Sequence, residues 1–441
     1  MHHTGTSLLT HLHALFSQWG TSQTYWVAYS GGVDSHVLLA LCHQLRPELG
    51  LKLHAVHINH GMSPQASWWE THCAHVCMQW DIAFSSHRLQ LQTTTNLEAL
   101  AREQRYALFG TLLAPGDILL TAHQQDDVAE TVLLQLLRGA GPKGLAAMPL
   151  IKPFAAGQHA RPLLDFPRKT LLHAGQQRQL AWIDDPSNDQ TQFARNFIRH
   201  QVLPLLTSRW PSTVSTIAQS AQHCAEADNL LDSFVQGQYQ HLIAGNELSV
   251  SHLLQLSPAT QRLVLRHWMV KQHVPLPGLQ QMLAIQKEIL QAGHDRLPCV
   301  TWHGAEMRRY HDHLYLLCPP LAHCKQRVQQ TYHWDFTYPL VLPNLGTLYA
   351  FPVHGEGISH TIRQVQIRFR QGGETLYVAG CGHKILKHLF QEWHIVPWER
   401  YRIPLIFYAN ELVAVVGHAI SPHFIAKSGQ DGWKIHCQRA S

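Results

Sequence analysis

Two glycines between two serines form a short loop, Ser30–Ser35, that follows an apolar segment and precedes a helical pattern. Glycine N–H groups can approach an anion without hindrance from a Cβ atom. The start of the following helix adds free N–H groups and the positive end of the helix dipole. An ordinary glycine turn is the alternative, but the full string after a buried strand favours a phosphate cradle made of Ser30, Gly31, Gly32, Val33, Asp34 and Ser35.

An aspartate within this loop would repel phosphate unless a divalent cation lay between them. The sequence therefore predicts Mg²⁺, with Asp34 as its protein ligand. The loop also lacks the lysine that a Walker A loop extends to the β- and γ-phosphates. A cradle without that lysine suits a reaction that leaves pyrophosphate in the loop. We therefore expect ATP to be cleaved between the α- and β-phosphates, with AMP passed to an acceptor.

A second group of polar side chains follows the predicted fourth strand. His123 lies at the end of that strand, and Asp126, Asp127 and Glu130 lie in the first turns of the next helix. Residues three and four apart on a helix are neighbours. Acids also stabilise helix N-termini, but three carboxylates and a histidine exceed that need. We predict that Asp127 and Glu130 bind a co-substrate carrying an ammonium group.

Several arginines are candidates for binding phosphates. Arg102 and Arg105 lie on one predicted helix, where a solvated face is the alternative interpretation. Arg161, Arg195 and Arg199 lie in the strings RPL and RNFIR. A guanidinium can give a phosphate two parallel hydrogen bonds. The sequence therefore predicts that these arginines contact phosphates of ATP or RNA.

The first 140 residues alternate between strand and helix patterns. Strands are predicted at 25–29, 53–58, 82–89 and 117–123, the first of them of the buried apolar type, and helices are predicted at 35–45, 67–80, 96–113 and 126–137. This alternation is typical of an α/β fold with a doubly wound parallel sheet. Ligands of such sheets bind beyond the carboxyl ends of the strands, where the loops described above must lie.

The remaining chain predicts two further domains. A boundary is expected near residues 209–213, followed by one long helix at 214–243, helical segments to about 290 and strands at 298–320 that close the middle domain. The predicted division is 1–212 for an ATP-binding catalytic domain, 213–320 for a mostly helical middle domain and 325–441 for a small mixed α+β C-terminal domain.

Composition narrows the class of protein. The 441 residues carry a formal net charge of +5, which permits a nucleic-acid partner without requiring one. The sequence has no apolar run of membrane-spanning length, and its first residues do not resemble a signal peptide. The nine cysteines are odd in number and scattered, which fits reduced thiols. Cys73 and Cys77 predict a half-buried helix face rather than a metal site. We expect a cytoplasmic protein.

The loop SGGVDS resembles the PP-loop of N-type ATP pyrophosphatases, which adenylate a carbonyl oxygen and then let a nucleophile displace AMP. Nearly the whole chain resembles the bacterial tRNA(Ile)-lysidine synthetase family. The shared strings occur in the family's order and are HINHGMS (with His57 and His60), EALAREQRY, AHQQDDVAET, RGAGPKGL, RPLL, WIDDPSND, RNFIRHQVLPLL and the C-terminal KILKHLFQEWHIVPWERYRIPLIF.

The resemblance implies a defined reaction. Free lysine is joined to carbon 2 of the wobble cytidine in the CAU anticodon of an isoleucine tRNA, through a cytosine adenylated by ATP. Lysidine results, and codon reading changes from AUG to AUA. A carboxylate or His123 is expected to take the proton of the attacking amine. The implied site residues are Asp34, His123, Asp127 and Glu130 for catalysis, Ser30–Ser35, Arg102 and Arg161 for ATP, and Asp127, Glu130, Arg195, Arg199, Lys384 and Lys387 for lysine and tRNA.

Two other functions remain open at this point. A tRNA 2-thiolation enzyme of the same fold would need catalytic cysteines or iron–sulfur ligands near the loop. A non-catalytic RNA-binding or metal-binding protein would account for the positive charge and the 35 histidines, but it would leave the glycine loop and its acidic partners unexplained. A homodimer is compatible with the sequence, which does not specify an oligomeric state.

Overall fold

The computed structural model describes residues 7–59, 61, 65–89, 97–185, 191–293, 296–318, 330–343 and 345–439. The chain forms two compact units, Met1–Ser233 and Phe234–Ser441. The division falls within a single long helix, Thr213–Tyr239, which was predicted at 214–243. The three-domain division stays a prediction, and its boundary at 320–325 lies outside the described residues.

The first unit contains an alternating series of helices and strands. Its strands are β1 (Thr24–Ala28), β2 (Lys52–Asn59), β3 (Ala83–Arg88), β4 (Ile118–Leu120), β5 (Ile151–Phe154) and β6 (Gly157–Ala160). Its helices, including the one that crosses the boundary, are α1 (Leu8–Trp19), α2 (Val33–Leu49), α3 (Ala66–Gln79), α4 (Leu97–Leu112), α5 (Gln125–Leu137), α6 (Pro142–Leu145), α7 (Arg168–Gln177), α8 (Ala194–Phe197), α9 (Leu203–Arg209) and α10 (Thr213–Tyr239). A π-helical turn, Ile198–Val202, joins α8 to α9.

The strands of the first unit form one sheet in the order β3-β2-β1-β4-β6-β5. All neighbouring pairs are parallel except β5 and β6, which form an antiparallel edge. The prediction of a doubly wound parallel sheet is therefore confirmed. The order reverses beside β1, and a reversal of this kind places the ligand-binding crevice at the carboxyl ends of β1 and its neighbours.

Side chains of β1 alternate between two buried clusters. Tyr25 and Val27 pack in the larger cluster with side chains of α1, α2, α3 and α7. Trp26 packs in the other cluster, which includes Phe109 of α4. Successive side chains of a strand point to opposite faces, so helices cover both faces of the sheet. This arrangement leaves the loops at the strand ends as the place for polar chemistry.

The second unit contains a five-stranded antiparallel sheet with short helices, followed by further sheets of five, four and two strands. The first part comprises β7 (Ile243–Ala244), β8 (Glu247–Ser249), α11 (Val250–Leu254), α12 (Pro258–Lys271), α13 (Leu279–Ala284), β9 (Cys299–Trp302), β10 (Ala305–Tyr310) and β11 (His313–Leu317). Its strands pair in the order β7-β8-β11-β10-β9. The helices match the expected middle region, β9, β10 and β11 lie in the segment 298–320 where strands are predicted, and β7 and β8 add two strands to them.

The C-terminal part is mixed α+β, as predicted. It comprises β12 (Tyr332–Trp334), β13 (Leu340–Leu342), β14 (Gly346–His354), β15 (Ile358–Ser359), β16 (Val365–Arg368), β17 (Thr375–Val378), β18 (Gly382–Ile385), α14 (Leu386–Glu392), β19 (Leu405–Tyr408), β20 (Glu411–Val415), β21 (Ala419–Ile420) and β22 (Asp431–Arg439). The sheets are β12-β16-β19-β20-β21, β13-β14-β22-β15 and the hairpin β17-β18. Within the described ranges, no helix combines the length and the apolar character needed to cross a bilayer.

Candidate active site

The glycine loop connects β1 to α2, as the sequence predicted. Gly31 has a φ of +87°, a backbone conformation that glycine adopts readily because it has no Cβ. A Cβ on Gly31 would also lie only 2.6 Å from Ile183 Cδ1 and 3.0 Å from Cys73 Sγ. The loop therefore requires glycine at position 31 for two independent reasons, backbone conformation and space.

The start of α2 carries no side-chain cap. Its N-cap residue, Gly32, makes no side-chain capping hydrogen bond, and the first N–H groups of a helix have no partner within the helix. The serine hydroxyls instead stabilise the loop. Ser30 Oγ and Ser35 Oγ are 3.0 Å apart, and Ser35 Oγ donates to the carbonyl of Gly32 at 3.0 Å. The geometry suits an anion at the helix start, and phosphate contact by these residues stays a prediction.

A cavity of about 420 Å³ adjoins this loop. It is lined by Gln65, Trp68, Trp69, Trp182, Ile183 and Asp184. The Ile183 N–H donates to the carbonyl of Gly31 at 2.9 Å, which fixes one wall of the cavity to the glycine loop. The string WIDDPSND, which the sequence analysis identified only by its resemblance to the family, thus begins beside the glycine loop. Its residues 186–189 lie outside the described part of the chain.

Asp34 lies in the first turn of α2 and is half-buried. Its Oδ1 atom is buried and has no hydrogen-bond partner among the described residues. Burial, followed by the negative charge of Asp127, raises the pKa of Asp34 to about 6, while Arg168 and Arg199 oppose the shift. Mg²⁺ is commonly bound by one or two carboxylates together with substrate phosphates. The unpaired oxygen of Asp34 and the nearby charge of Asp127 fit such an ion.

The acids at the start of α5 are held by a reciprocal capping arrangement. Gln124, which is fully buried, accepts the Asp126 N–H on its side-chain oxygen. Asp127 Oδ2 in turn accepts the Gln124 N–H at 3.0 Å. Such a capping box satisfies backbone donors at a helix start. Gln124 therefore fixes the position of Asp127, a role that the sequence patterns did not indicate.

Two arginines neutralise the predicted acidic pair. Arg195 Nε donates to Glu130 Oε2 at 2.7 Å, and Arg199 Nε donates to Glu130 Oε1 at 2.6 Å. Both guanidinium groups also reach Asp127 Oδ1, at 3.0 Å from Arg195 and 3.2 Å from Arg199. Residues predicted to bind lysine and residues predicted to bind phosphate thus form a single four-membered cluster of balanced charge.

Accessibility differs between the two acids of this cluster. Glu130 is fully buried, whereas Asp127 is 9% exposed. Asp127 Oδ2 accepts one hydrogen bond, from Gln124, and a carboxylate oxygen has room for a second donor. Asp127 is therefore the acid that a further cation can reach, and binding of lysine by either acid stays a prediction.

His123 belongs to a hydrogen-bonded chain that joins β4 to β6. His123 Nδ1 lies 2.7 Å from Thr121 Oγ1, which lies 2.8 Å from His159 Nε2. His159 Nδ1 lies 3.0 Å from a terminal nitrogen of Arg161. Burial, aided by Arg161, lowers the pKa of His159 to about 2. Burial and four surrounding arginines hold the pKa of His123 well below its usual value, so both rings are neutral.

Three of the predicted arginines lie around Tyr106 and His159. The guanidinium carbons of Arg102 and Arg105 are 5.1 and 5.6 Å from the centre of the Tyr106 ring. Arg161 is buried and donates to the carbonyl of Pro149 at 2.7 Å as well as to His159. Arg161 thus directs two donors inward, toward the protein. Direct contact of Arg102 or Arg161 with ATP stays a prediction.

The other histidines and the cysteines near the loop have structural surroundings. His57 Nδ1 lies 2.9 Å from the carbonyl of Tyr29 and links the ends of β1 and β2. His60 lies outside the described residues. Cys73 and Cys77 are buried, and burial raises the pKa of each thiol to about 12. In the ranges that the structure describes, no group of three or more His, Cys, Asp or Glu side chains is arranged to hold a metal ion.

The predicted tRNA-binding lysines lie in the second unit, beside and within α14. Lys384 Nζ lies 3.0 Å from Glu392 Oε1, and both side chains are partly solvated. Lys387 is exposed. Surface pairs of this kind contribute little to stability, so Lys384 can exchange its contact with Glu392 for a phosphate at little cost. Binding of tRNA by these two lysines stays a prediction.

Comparison with known proteins gives matches along most of the chain. Family models match residues 5–206, described as a PP-loop domain, 248–315, described as a TilS substrate binding domain, and 365–437, described as a TilS substrate C-terminal domain. The tRNA(Ile)-lysidine synthase of Coxiella burnetii is 43% identical over 424 residues, with 95% of this chain and 94% of that protein covered.

Two further relatives carry the same name. The tRNA(Ile)-lysidine synthase of Methylococcus capsulatus is 41% identical over 403 residues, covering 89% of this chain and 91% of the relative. That of Legionella pneumophila is 39% identical over 411 residues, covering 93% of this chain and 94% of the relative. The similarity therefore extends over both compact units rather than over the glycine loop alone.

Proposed function

The chain belongs to the tRNA(Ile)-lysidine synthase family, and on that premise we propose the reaction it catalyses and the residues that act in it. The enzyme joins lysine to carbon 2 of the wobble cytidine in the CAU anticodon of an isoleucine tRNA. ATP first adenylates the carbonyl oxygen at that carbon, and the ε-amine of lysine then displaces AMP. The observation that carries the proposal is a sequence identity of 39–43% that extends over 89–95% of this chain in three synthases of this name.

ATP is assigned to the glycine loop. The uncapped start of α2 and the positive φ of Gly31 support a triphosphate at Ser30–Ser35. Mg²⁺ would be held by Asp34, with the charge of Asp127 nearby, and when bound it would neutralise the phosphates and hold them in the loop. The unpaired Oδ1 of Asp34 supports this assignment. A cation held by Asp34 would thereby lie between the nucleotide in the glycine loop and the carboxylate of Asp127.

Free L-lysine is assigned to the acidic cluster. Asp127 is the acid that we propose to meet the ammonium group, because it retains exposure and a free acceptor site on Oδ2. Glu130 is fully buried and bonded to both arginines. Its proposed role is to fix Arg195 and Arg199, and through them Asp127. Arg195 and Arg199 thus contribute to lysine binding indirectly, because they hold Asp127 in place.

The isoleucine tRNA is assigned to arginines of the first unit and to lysines of the second. Arg102 and Arg105 on α4 are proposed to meet phosphates of ATP or of the anticodon loop. Lys384 and Lys387 are proposed to meet phosphates elsewhere on the tRNA. An anticodon loop presents unstacked bases that a protein can read at their edges. The reaction is expected to take place in the cytoplasm, where lysine, ATP and tRNA are all present.

The thiolation alternative has little support. Burial raises the pKa values of the Cys73 and Cys77 thiols, which keeps both groups protonated. Only the deprotonated thiolate is a good nucleophile. Similarity to lysidine synthases extends through the second unit as well. Neither observation favours sulfur transfer at the glycine loop.

The proposal is tested by incubating the enzyme with ATP, Mg²⁺, labelled lysine and a transcript of the isoleucine tRNA, followed by nucleoside analysis. Label in lysidine is expected, with AMP and pyrophosphate formed in equal amounts. A transcript whose wobble cytidine is replaced by uridine is the matched control and should remain unlabelled. Absence of labelled nucleoside from the cytidine transcript, with ATP and tRNA binding intact, would contradict the proposal.

A further inference from the structure

The hydrogen-bonded chain that ends at His123 has a direction, set by the arginine at its other end. A guanidinium can only donate hydrogen bonds. Since Arg161 donates to His159 Nδ1 at 3.0 Å, that nitrogen must carry a lone pair. In a neutral imidazole one nitrogen accepts and the other donates. The proton of His159 therefore lies on Nε2.

The hydroxyl of Thr121 connects His159 to His123 and sets the tautomer of the second ring. His159 Nε2–H donates to Thr121 Oγ1 at 2.8 Å. The single hydroxyl proton of Thr121 is then free to point at His123 Nδ1, 2.7 Å away. Since the described residues offer the Thr121 hydroxyl no acceptor other than this nitrogen, His123 Nδ1 accepts, and the proton of the neutral ring lies on Nε2. A hydrogen bond to one ring nitrogen commonly fixes the tautomer of a histidine in this way.

The surroundings of His123 favour an anionic ligand. Arg161, Arg195, Arg102 and Arg105 all act on its charge state, in that order of effect. All four charges disfavour an imidazolium, and those of Arg161, Arg102 and Arg105, which lie outside the acidic cluster, also attract a phosphate. Within the described part of the chain, the structure gives His123 Nε2 no hydrogen-bond partner. A neutral N–H group near guanidinium groups is suited to donate a hydrogen bond to a phosphoryl oxygen. The same nitrogen already carries a proton, so it cannot act as a base.

We propose that Arg161, His159 and Thr121 are positioning residues that hold His123 as its Nε2–H tautomer, so that His123 donates a hydrogen bond to a phosphoryl oxygen and does not accept the lysine proton. This inference rests on the proposed function, because it concerns the phosphoryl group that the cytosine attacks. It differs from the sequence-based expectation, in which His123 was one candidate for the base.

The proposal fits both steps of the reaction. In the first step the cytosine oxygen forms a bond to the α-phosphorus, and the bond to pyrophosphate breaks. In the second step the lysine nitrogen forms a bond to carbon 2, the carbon–oxygen bond to AMP breaks, and the proton of the amine passes to a carboxylate, the other acceptor that the sequence predicts. Negative charge on the α-phosphoryl oxygens is stabilised in both steps by a fixed donor. His123 gains and loses no proton in either step, so its neutral form is sufficient throughout.

The tautomer can be measured without any turnover. Histidine labelled with ¹⁵N gives distinct ring correlations for Nε2–H, Nδ1–H and imidazolium forms, and a His123→Gln sample assigns the signal. We expect the full-length enzyme at neutral pH to show His123 as the Nε2–H form. In Thr121→Val the signal should shift or broaden, because the hydroxyl that fixes Nδ1 is gone. An Nδ1–H or imidazolium form in the unaltered enzyme would overturn the proposal.

Kinetics of matched variants separate donor from base. Thr121→Ser keeps the hydroxyl and should retain kcat within about threefold, whereas Thr121→Val should lower kcat about tenfold to a hundredfold with little change in the KM for ATP. His123→Gln places an uncharged N–H near the Nε2 position, so its kcat should exceed that of His123→Ala by at least about tenfold. An equal loss of kcat in His123→Gln and His123→Ala, or an unchanged kcat in Thr121→Val, would overturn the proposal.

These outcomes can be distinguished from failure of the proposed function. If the unaltered enzyme forms no lysidine, the proposed function fails, while the tautomer measurement still reports on the chain of hydrogen bonds. If lysidine forms normally and the ring signal contradicts the Nε2–H form, only the present inference fails. Unchanged circular dichroism and thermal unfolding of Thr121→Val would show that its loss of kcat is not a loss of fold.

Discussion

Arg199 binds the fully buried carboxylate of Glu130 through two hydrogen bonds, from Nε at 2.6 Å and from a terminal nitrogen at 3.0 Å. The two residues are 69 positions apart in the sequence. Their contact joins the start of α5 to the π-helical turn after α8. Because Arg195 binds the same carboxylate, Glu130 is the residue on which the acidic cluster depends.

Glu130→Gln should therefore destabilise the fold as well as the site. Removing one partner of a buried ion pair leaves charge without compensation and typically costs about 3–5 kcal/mol. We expect a loss of this size in the free energy of unfolding, measured with urea. Glu392→Gln, which removes the solvated partner of Lys384, is the matched control and should leave stability nearly unchanged. Equal stability of Glu130→Gln and the unaltered enzyme would contradict this account of the cluster.

Asp127→Asn should weaken the use of lysine much more than the use of ATP. A charge-assisted hydrogen bond contributes about 1.5–3 kcal/mol, which corresponds to about tenfold to a hundredfold in the KM for lysine. Asp126→Asn alters a neighbouring carboxylate whose Oδ2 accepts the Arg168 N–H, and it should leave that KM nearly unchanged. A parallel rise in the KM values for lysine and ATP would show that Asp127 does not bind the ammonium group selectively.

Gly31→Ala should disable the glycine loop beyond the effect of backbone strain alone. An added Cβ would lie 2.6 Å from Ile183 Cδ1, which forces the loop to move, and small displacements at a reacting centre can cost about a hundredfold in rate. Gly50→Ala also places alanine at a positive φ, +65°, but in open space. It should cost only about 1–2 kcal/mol of stability and should retain activity. The comparison is made on kcat/KM for ATP, and equal values for the two variants would rule out a steric requirement at Gly31.

Asp34 should make stability depend on pH in the absence of Mg²⁺ and ATP. Its pKa is raised from 3.8 to about 6 in the folded chain, so between these values the native state holds a proton that the unfolded state has lost. The contribution of Asp34 to stability is then fully present below pH 3.8 and is lost as the pH rises through about 6. Asp34→Asn cannot titrate.

Urea unfolding of both proteins across this interval provides the measurement. We expect Asp34→Asn to become more stable relative to the unaltered enzyme as the pH rises. Saturating Mg²⁺ with ATP should remove this trend, because a bound cation favours the carboxylate. A constant difference between the two proteins across the interval would mean that Asp34 has an ordinary pKa.

Lys387→Ala and Lys384→Ala should both weaken tRNA binding, with the larger effect at Lys387. Each phosphate contact that is lost should lower the steepness of the salt dependence by about one unit on logarithmic axes. Lys384 must exchange its contact with Glu392 for a phosphate, which reduces its net contribution. The measurement is the dissociation constant for full-length tRNA at several salt concentrations. Unchanged affinity and slope in both variants would assign this region to stability alone.

The sequence predicted the parallel sheet well because strand and helix patterns alternate along it and because β1 and β4, at the centre of the sheet, are apolar. It missed the antiparallel edge formed by β5 and β6, since Pro153 interrupts the apolar pattern of β5. Proline is tolerated there because β5 is an edge strand. It also missed α1, whose buried residues Leu12 and Phe16 complete the larger core cluster.

The sequence predicted which residues belong to the candidate site, but it did not predict which of them contact one another. The acids of α5 and the arginines near residue 195 were identified separately, and nothing in their local spacing indicates that they contact one another. Thr121 and His159 were missed because they become neighbours only when β4 pairs with β6. Patterns along the chain report local neighbours, whereas hydrogen-bonded chains between strands depend on the order of the sheet.

Adenylation of the cytosine oxygen is tested most directly by following that one oxygen atom. A transcript of the isoleucine tRNA is prepared with ¹⁸O at carbon 2 of the wobble cytosine and incubated with enzyme, lysine, Mg²⁺ and unlabelled ATP. If that oxygen attacks the α-phosphorus and leaves when lysine forms its bond to carbon 2, mass spectrometry should find one ¹⁸O atom in each AMP and none in pyrophosphate. Lysidine formed with unlabelled AMP, or label found in pyrophosphate, would contradict adenylation of the cytosine oxygen at the glycine loop.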